Sequence, residues 1–535
     1  MADDVILDAS AYVHNALTSA KDSTKAFSRI QKNNLVKIAS LQPALSLLDI
    51  HETKRVEFNE SLLMKLRENL LEKLDDLDEK QMEKLLKECF HFIVKDELRD
   101  IVVTIMERLE TVPENYLLSI SENQQLYEVC PVNIKRQIWQ NTQELFGEAV
   151  SPLLDKYIED KDAKMFSQIG DDGSTKSFFS YSPKVRRQSE IVQGLVDMIG
   201  NSVQLYTILL QFLRTLFIRT EVSHYCTLRA DLLMCLHDNK ISVICDSDPC
   251  HKFAWCLDAC VQAGDMDTRK ARELYLFLQS MASGGNEETI GDLAMLLRDP
   301  YAINVICGSI LKTLSMLLQH EKLPRESNDL EFLVRLLHVG LQSLDIVEKQ
   351  EFKSKQDNDI VMKFLPSLME LMVNSQLQSV CSKLGEEFNQ DIHPSKFQLK
   401  QPIVCHIVCT YALNLVKRKD TKHLSELLAA IAVSHQKDHV VLPDGFLHQM
   451  ANYLSSNVKC LQDSSGETLL RKFWVPCSCQ DNGMLHLCRL LWGVQTHLEP
   501  DLLDTVLKEM KPKQQHNELA YTQYLTLVEH IKGSQ

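Results

Sequence analysis

Apolar residues recur at helical spacing along most of the chain. Between residues 57 and 77, leucines stand at 62, 63, 66, 70, 71, 74 and 77, with acidic and basic residues between them. This i, i+3/i+4 stripe beside a charged face predicts an amphipathic helix. Residues 201–219 repeat the pattern with Leu205, Leu209, Phe212, Leu213, Leu216 and Phe217. Residues 331–344 repeat it with Phe332, Leu333, Leu336, Leu337, Leu341 and Leu344, and the last stretch with Tyr521, Tyr524, Leu525, Val528 and Ile531. Period-two alternation is missing; the nearest strand candidate, Val440–Leu442, is too short to build a sheet.

Proline placement agrees with a helical chain. Pro131, Pro152, Pro183, Pro249, Pro300 and Pro500 each precede an apolar-periodic segment. Proline suits the first helical position, where its missing N–H has no intrahelical partner to lose. Ser151, Ser182, Asp248 and Asp299 stand just before four of them as N-cap candidates. Helix pairs recur about every forty residues, near the period of HEAT and armadillo units. The predicted fold is therefore all-α: an elongated HEAT/armadillo-like helical-repeat solenoid. Gly and Pro number only 17 and 15 in 535 residues, too few for the closely spaced turns of a β-sandwich or barrel.

The expected organisation is an N-terminal arm over 1–50, partly helical, then N-terminal helical repeats over 51–160. A loop or linker follows over 161–182, where Gly170, Gly173 and Ser174 interrupt the pattern. Central helical repeats occupy 183–350, a weak break 351–400, and C-terminal helical repeats 401–535.

Charge and motif content restrict the function. Asp and Glu outnumber Lys and Arg by 73 to 58, a net charge of −15 that repels nucleic acid except at local basic patches. The start, MADDVILDAS, lacks the basic and apolar regions of a signal peptide, and no uncharged run is long enough to span a bilayer. Sixteen cysteines without a secretory signal point to reduced thiols. The segment CDSDPCHKFAWCLDAC (245–260) gathers Cys245, Cys250, His251, Cys256 and Cys260, yet holds no CxxC pair. Cys256 and Cys260 fall on one helix face, as core thiols do. The CxC of Cys477 and Cys479, with His486 and Cys488, is a weaker metal candidate. There is no GxSxG, HExxH or phosphate-binding loop. The expectation is a protein that is not an enzyme, with no catalytic residues, no metal and no cofactor. Candidate RNA contacts are Lys135 and Arg136 near Trp139, and Arg186 and Arg187 after Phe178, Phe179 and Tyr181. Aromatics beside cations can stack bases and neutralise phosphates; the alternative is arginine paired within the surplus of acid.

Several collinear strings carry a family resemblance. NIKRQIWQNTQELFGEAVSPLLDKYIE (133–159), YSPKVRRQSEIVQ (181–193), LYTILLQFLRTLFIRTEVSHYCTLRADLLMCL (205–236), DPCHKFAWCLDAC (248–260), KAREL (270–274) and GDLAMLLRDPYAIN (291–304) resemble the negative elongation factor B family, also called the cofactor of BRCA family. The resemblance is dense over residues 40–325, thins through 330–400 and continues to near 531. It implies a non-catalytic, nuclear scaffold within the four-protein negative elongation factor complex. Such a scaffold would bridge the A–C/D subcomplex and negative elongation factor E, and support promoter-proximal pausing of RNA polymerase II together with the DRB sensitivity-inducing factor. The implied partners are negative elongation factors A, C/D and E, the polymerase and, directly or through partners, nascent RNA; no membrane is implied. Family members can carry a Pro/Ala-rich tail, whereas this sequence runs to IKGSQ (531–535), so the contribution of such a tail is expected to be missing. The rival readings are a generic HEAT-like adaptor in trafficking or nuclear transport, and a metal-dependent enzyme built on 245–260.

Overall fold

The computed structural model describes Met64, Arg67, Glu68, Leu71 and Glu72, then residues 74–167, 182–284, 287–319, 327–349, 399–462, 464–479, 481–512 and 518–534. The expected arm over 1–50 lies outside the described residues, as do most of the expected linker and nearly all of the weak break. Among the described residues, all regular structure is helical and there are no strands. Val440–Leu442 is loop, held by a bond between Val440 O and His435 Nδ1 of 2.5 Å.

The helices begin where short polar side chains can take over the orphan first-turn amides. Asp78 and Gln81 form a reciprocal capping box at Glu79–Cys89. Asn123, Ser189, Ser202, Asp267, Ser327 and Asp420 each accept a hydrogen bond from the amide three residues on. Pro183, Pro300 and Pro500 stand at first helical positions as expected, and Pro131 one residue earlier, at an N-cap. Pro152 does not: it lies inside the long helix Gln143–Ser167. Ser151 is not a cap there; its Oγ donates to Gly147 O at 2.8 Å. Phe146, Val150, Leu154 and Tyr157 continue one buried stripe past the proline. Their burial outweighs the roughly 3 kcal/mol that an interior proline costs.

The chain divides into two compact units, up to Phe146 and from Gly147 onward, so the division falls within the helix Gln143–Ser167. In the first unit, helices Glu79–Cys89, Asp96–Arg108, Glu114–Ser121 and Val132–Asn141 enclose Leu86, Ile101, Ile105, Ile120, Ile134 and Ile138. Gln137 ties its helix to the loop before Glu114 through a 2.9 Å bond from the Val112 amide, and Trp139 Nε1 donates to the Tyr127 hydroxyl at 2.6 Å.

In the second unit, helix His224–Asp238 is surrounded. Helices Pro183–Arg187, Glu190–Ile199, Val203–Thr220, His251–Ala263 and Glu287–Arg298 all pack on it. Its twelve buried residues fall on every side, the mark of an interior helix. Pro300–Gln319 packs on Asn328–Leu341 and on Pro402–Arg418. By length and composition Pro300–Leu317 could cross a membrane, but 61% of it is buried inside the fold. Asp444–Ser456 packs on Asp481–Val494, which carries Glu518–Ser534; there Trp492 stacks on His530 with centroids 3.6 Å apart.

Gly340 allows a close crossing of Asn328–Leu341 over Glu287–Arg298. A Cβ at Gly340 would lie 3.0 Å from Leu297 O and 3.1 Å from Leu297 C, both backbone atoms that cannot swing aside. Gly340→Ala is therefore expected to lower stability by about 1–3 kcal/mol in urea unfolding, the usual cost of overpacking. An unchanged midpoint would show that the helices can separate freely.

Candidate functional site

The interior helix His224–Asp238 carries His224, Thr227, Arg229 and Asp231 inward. Buried polar and charged groups require partners, and arginine-centred networks supply them for Thr227, Arg229 and Asp231.

Arg186 forms a bidentate pair with Asp231, both contacts at 3.0 Å, and its guanidinium lies 3.8 Å from the centroid of the Tyr301 ring. The two side chains are 6% and 3% exposed. Burial alone would lower the Arg186 pKa, but Asp231 and Asp299 hold it above the ordinary value. Asp299 accepts from Thr227 Oγ1 at 2.8 Å. Burial pushes its carboxyl up to about 6 despite Arg186 and this hydrogen bond. Tyr157, buried near Asp231 and Tyr301, is pushed well above the usual phenol range, chiefly by desolvation.

Arg187 bridges Asp238 at 2.7 Å and Asp258 at 2.5 Å, joining helices Pro183–Arg187, His224–Asp238 and His251–Ala263. Arg229 is 1% exposed and lies between Asp248 at 3.6 Å and Asp292 at 3.4 Å. The Tyr206 hydroxyl donates to Asp248 at 2.5 Å, and Arg214 faces Asp292 at 3.5 Å.

The expected RNA contacts thus divide. Arg186 and Arg187 are buried and paired with aspartates, which puts their charge out of reach of a phosphate. Lys135 and Arg136 are half-buried on Val132–Asn141. The Lys135 ammonium donates to Glu128 O at 3.0 Å and sits 5.2 Å from the Tyr127 centroid, beside the exposed Val129 and Val132. This small apolar and cationic face belongs to the first unit.

The cysteine-rich segment also divides. Cys250 turns into the core, where its thiol faces Thr289 O at 3.8 Å; Cys260 is fully buried. Cys256 and Cys260 share a hydrogen bond, which lowers the Cys256 pKa and raises that of Cys260. Cys245 and His251, by contrast, meet at the end of the interior helix beside His237, a residue outside the 245–260 string. In the other weak candidate, Cys477 and Cys488 are buried with raised thiol pKa values, caused first by desolvation. His486 is instead taken up by Asp444 at 2.7 Å.

A fourth polar cluster is not legible in sequence. Arg489 Nη1 lies 2.7 Å from His448 Nδ1, and Arg489 also donates to Asn452. Burial, followed by Arg489, holds His448 well below its usual pKa; burial brings His224 down to about 4. Next to this cluster is a cavity of about 70 Å³ lined by Ser223, Arg298, His406, Asp444 and Phe446, among others. Sequence reasoning also misses the partners Asp231, Asp238, Asp258, Asp292 and Asp299. The available signal is a helix with leucine or cysteine on every face and arginine and aspartate among them.

The sequence comparisons agree with one another. The model of the family described as Cofactor of BRCA1 (COBRA1) matches residues 96–433. Negative elongation factor B of Mus musculus is 38% identical, over 96% of this chain and 91% of its own length. Negative elongation factor B of Drosophila melanogaster is 37% identical over 99% and 92%, and that of Homo sapiens 37% over 96% and 91%. With a family match across more than half of the chain and similarity at this level over nearly its full length, the chain belongs to the negative elongation factor B (COBRA1) family.

Proposed function

We propose that this chain is the non-catalytic scaffold of a nuclear negative elongation factor complex. In this reading it bridges the A–C/D subcomplex and negative elongation factor E, and supports promoter-proximal pausing of RNA polymerase II with the DRB sensitivity-inducing factor. The near full-length similarity to negative elongation factor B carries the reading. The helical composition is compatible with a repeat solenoid that presents extended surfaces to several partners. Joining weak contacts on one body raises their effective concentration, so avidity can exceed each single affinity by about 10²–10⁴. The arginine networks contribute rigidity: they tie helices Pro183–Arg187, Val203–Thr220, His251–Ala263 and Glu287–Arg298 to the interior helix or to one another with their guanidinium groups largely shielded from solvent. Affinity purification of the tagged chain from nuclear extract tests the reading. Stoichiometric recovery of negative elongation factors A, C/D and E is expected. Recovery with vesicle-coat or nuclear-pore components instead would favour the generic adaptor.

RNA contact is assigned to Lys135 and Arg136 rather than to Arg186 and Arg187. Reversing both charges, Lys135→Glu with Arg136→Glu, is expected to weaken single-stranded RNA binding by the assembled complex several-fold. The slope of log affinity against log salt should fall by about 1–2, since each lost phosphate contact removes roughly 0.7. Unchanged affinity and slope would place RNA binding wholly on other members of the complex.

A further inference from the structure

His237, Cys245 and His251 lie outside the arginine networks and converge from three consecutive helices. His237 is in the last turn of His224–Asp238, Cys245 in the short helix Ser242–Ser247, and His251 at the start of His251–Ala263. Their potential ligand atoms all lie within 4.8 Å of one another, and His237 Nδ1 is 3.0 Å from His251 Nε2. Tetrahedral zinc, with bonds of about 2.0–2.1 Å to nitrogen and about 2.3 Å to sulfur, sets its ligand atoms roughly 3.3–3.6 Å apart. That spacing falls between the 3.0 Å separating the two imidazole nitrogens and the 4.8 Å that bounds the cluster. A hydrogen bond between the two imidazoles accounts for their approach but not for the thiol beside them. Cys245 is buried and free, whereas both histidines are half-buried, so an ion has a route in and a water can complete the shell.

We propose that His237, Cys245 and His251 form a binding site for one borderline-soft divalent cation of the zinc class. Two imidazoles and a thiolate suit such an ion over magnesium or calcium, which take oxygen ligands. On binding, the Cys245 S–H proton passes to water as the metal–sulfur bond forms. His237 binds through Nδ1 and keeps its proton on Nε2; His251 binds through Nε2 and keeps its proton on Nδ1. No electron changes hands. The ion clips together the ends of three helices across two short loops, at the exit of the interior helix. Neither Cys250 nor Cys260 joins the set, since both thiols point into the core. This explains why the linear cysteine spacing looks wrong for zinc: one ligand comes from His237.

The test is titration of the purified, chelator-stripped full chain with zinc, and with cobalt as a spectroscopic substitute. One equivalent per chain is expected, with a near-ultraviolet thiolate-to-cobalt charge-transfer band and a raised thermal midpoint. Cys245→Ser should abolish the band, and it should weaken zinc binding at least about tenfold, the lower end of what even indirect ligand perturbations cause. His251→Gln, at a half-buried position, should weaken binding similarly and serves if the cysteine variant does not fold. Cys256→Ser should bind as the parent does. Stoichiometry well below one, no charge-transfer band, or parental affinity in Cys245→Ser or His251→Gln would overturn the site.

Discussion

Asp231→Ala is expected to destabilise the protein by about 3–5 kcal/mol, the penalty for stranding one member of a buried ion pair. Arg186 would keep its charge, because guanidinium does not deprotonate in proteins. It would lose both 3.0 Å contacts at a position 6% exposed to water. The Tyr301 face and the more distant Asp299 would remain, and these cannot replace a bidentate carboxylate. Urea unfolding of Asp231→Ala against the parent measures the loss. Replacing both partners, Arg186→Met with Asp231→Leu, should recover much of it, since apolar groups of similar volume need no counter-charge. A single-variant loss under about 1 kcal/mol would equal the worth of an exposed pair and would contradict the buried geometry.

Between pH 7 and pH 5, His224, His448 and Asp299 together are expected to lower stability by about 2–3 kcal/mol, driven by the buried neutral histidines. His224 titrates near 4 in the folded state, with burial the main cause. In the unfolded chain it titrates near 6.5, so below that pH the unfolded state binds the extra proton and is favoured. At pH 5 this amounts to about 2 kcal/mol from His224 alone. His448 acts in the same direction, because burial and then Arg489 depress its pKa. Asp299 opposes them. Its folded pKa is raised to about 6, so its penalty at neutral pH is relieved as pH falls through 6, returning about 1 kcal/mol by pH 5. Denaturant midpoints at the two pH values test the balance, and His224→Gln should flatten the profile. A parent protein as stable at pH 5 as at pH 7 would mean these histidines reach water.

Local helix formation is legible because its causes are local. The stripe at Leu205, Leu209, Leu213 and Phe217 lies on helix Val203–Thr220, and its Ser202 cap precedes it in the chain. Pro152 misleads because a proline after a serine looks like a helix start. Whether the helix begins there depends on the burial of Phe146 and Val150, which proline chemistry does not reveal. The basic pairs are harder still. Lys135–Arg136 and Arg186–Arg187 look alike as dipeptides, yet one pair lies half-buried and the other is enclosed.

The quoted strings resemble those of its family, while period, capping chemistry and composition established that this chain is helical and acidic overall. These properties follow from neighbours three or four residues apart, or from sums over the whole chain. The fate of the buried arginines was settled by contacts between residues 45, 51 or 71 positions apart, as in the pairs Arg186–Asp231, Arg187–Asp238 and Arg187–Asp258. The same holds for His237, which reaches His251 across a short intervening helix. Burial strengthens such pairs by excluding water, and burial depends on how helices pack, which no local pattern encodes.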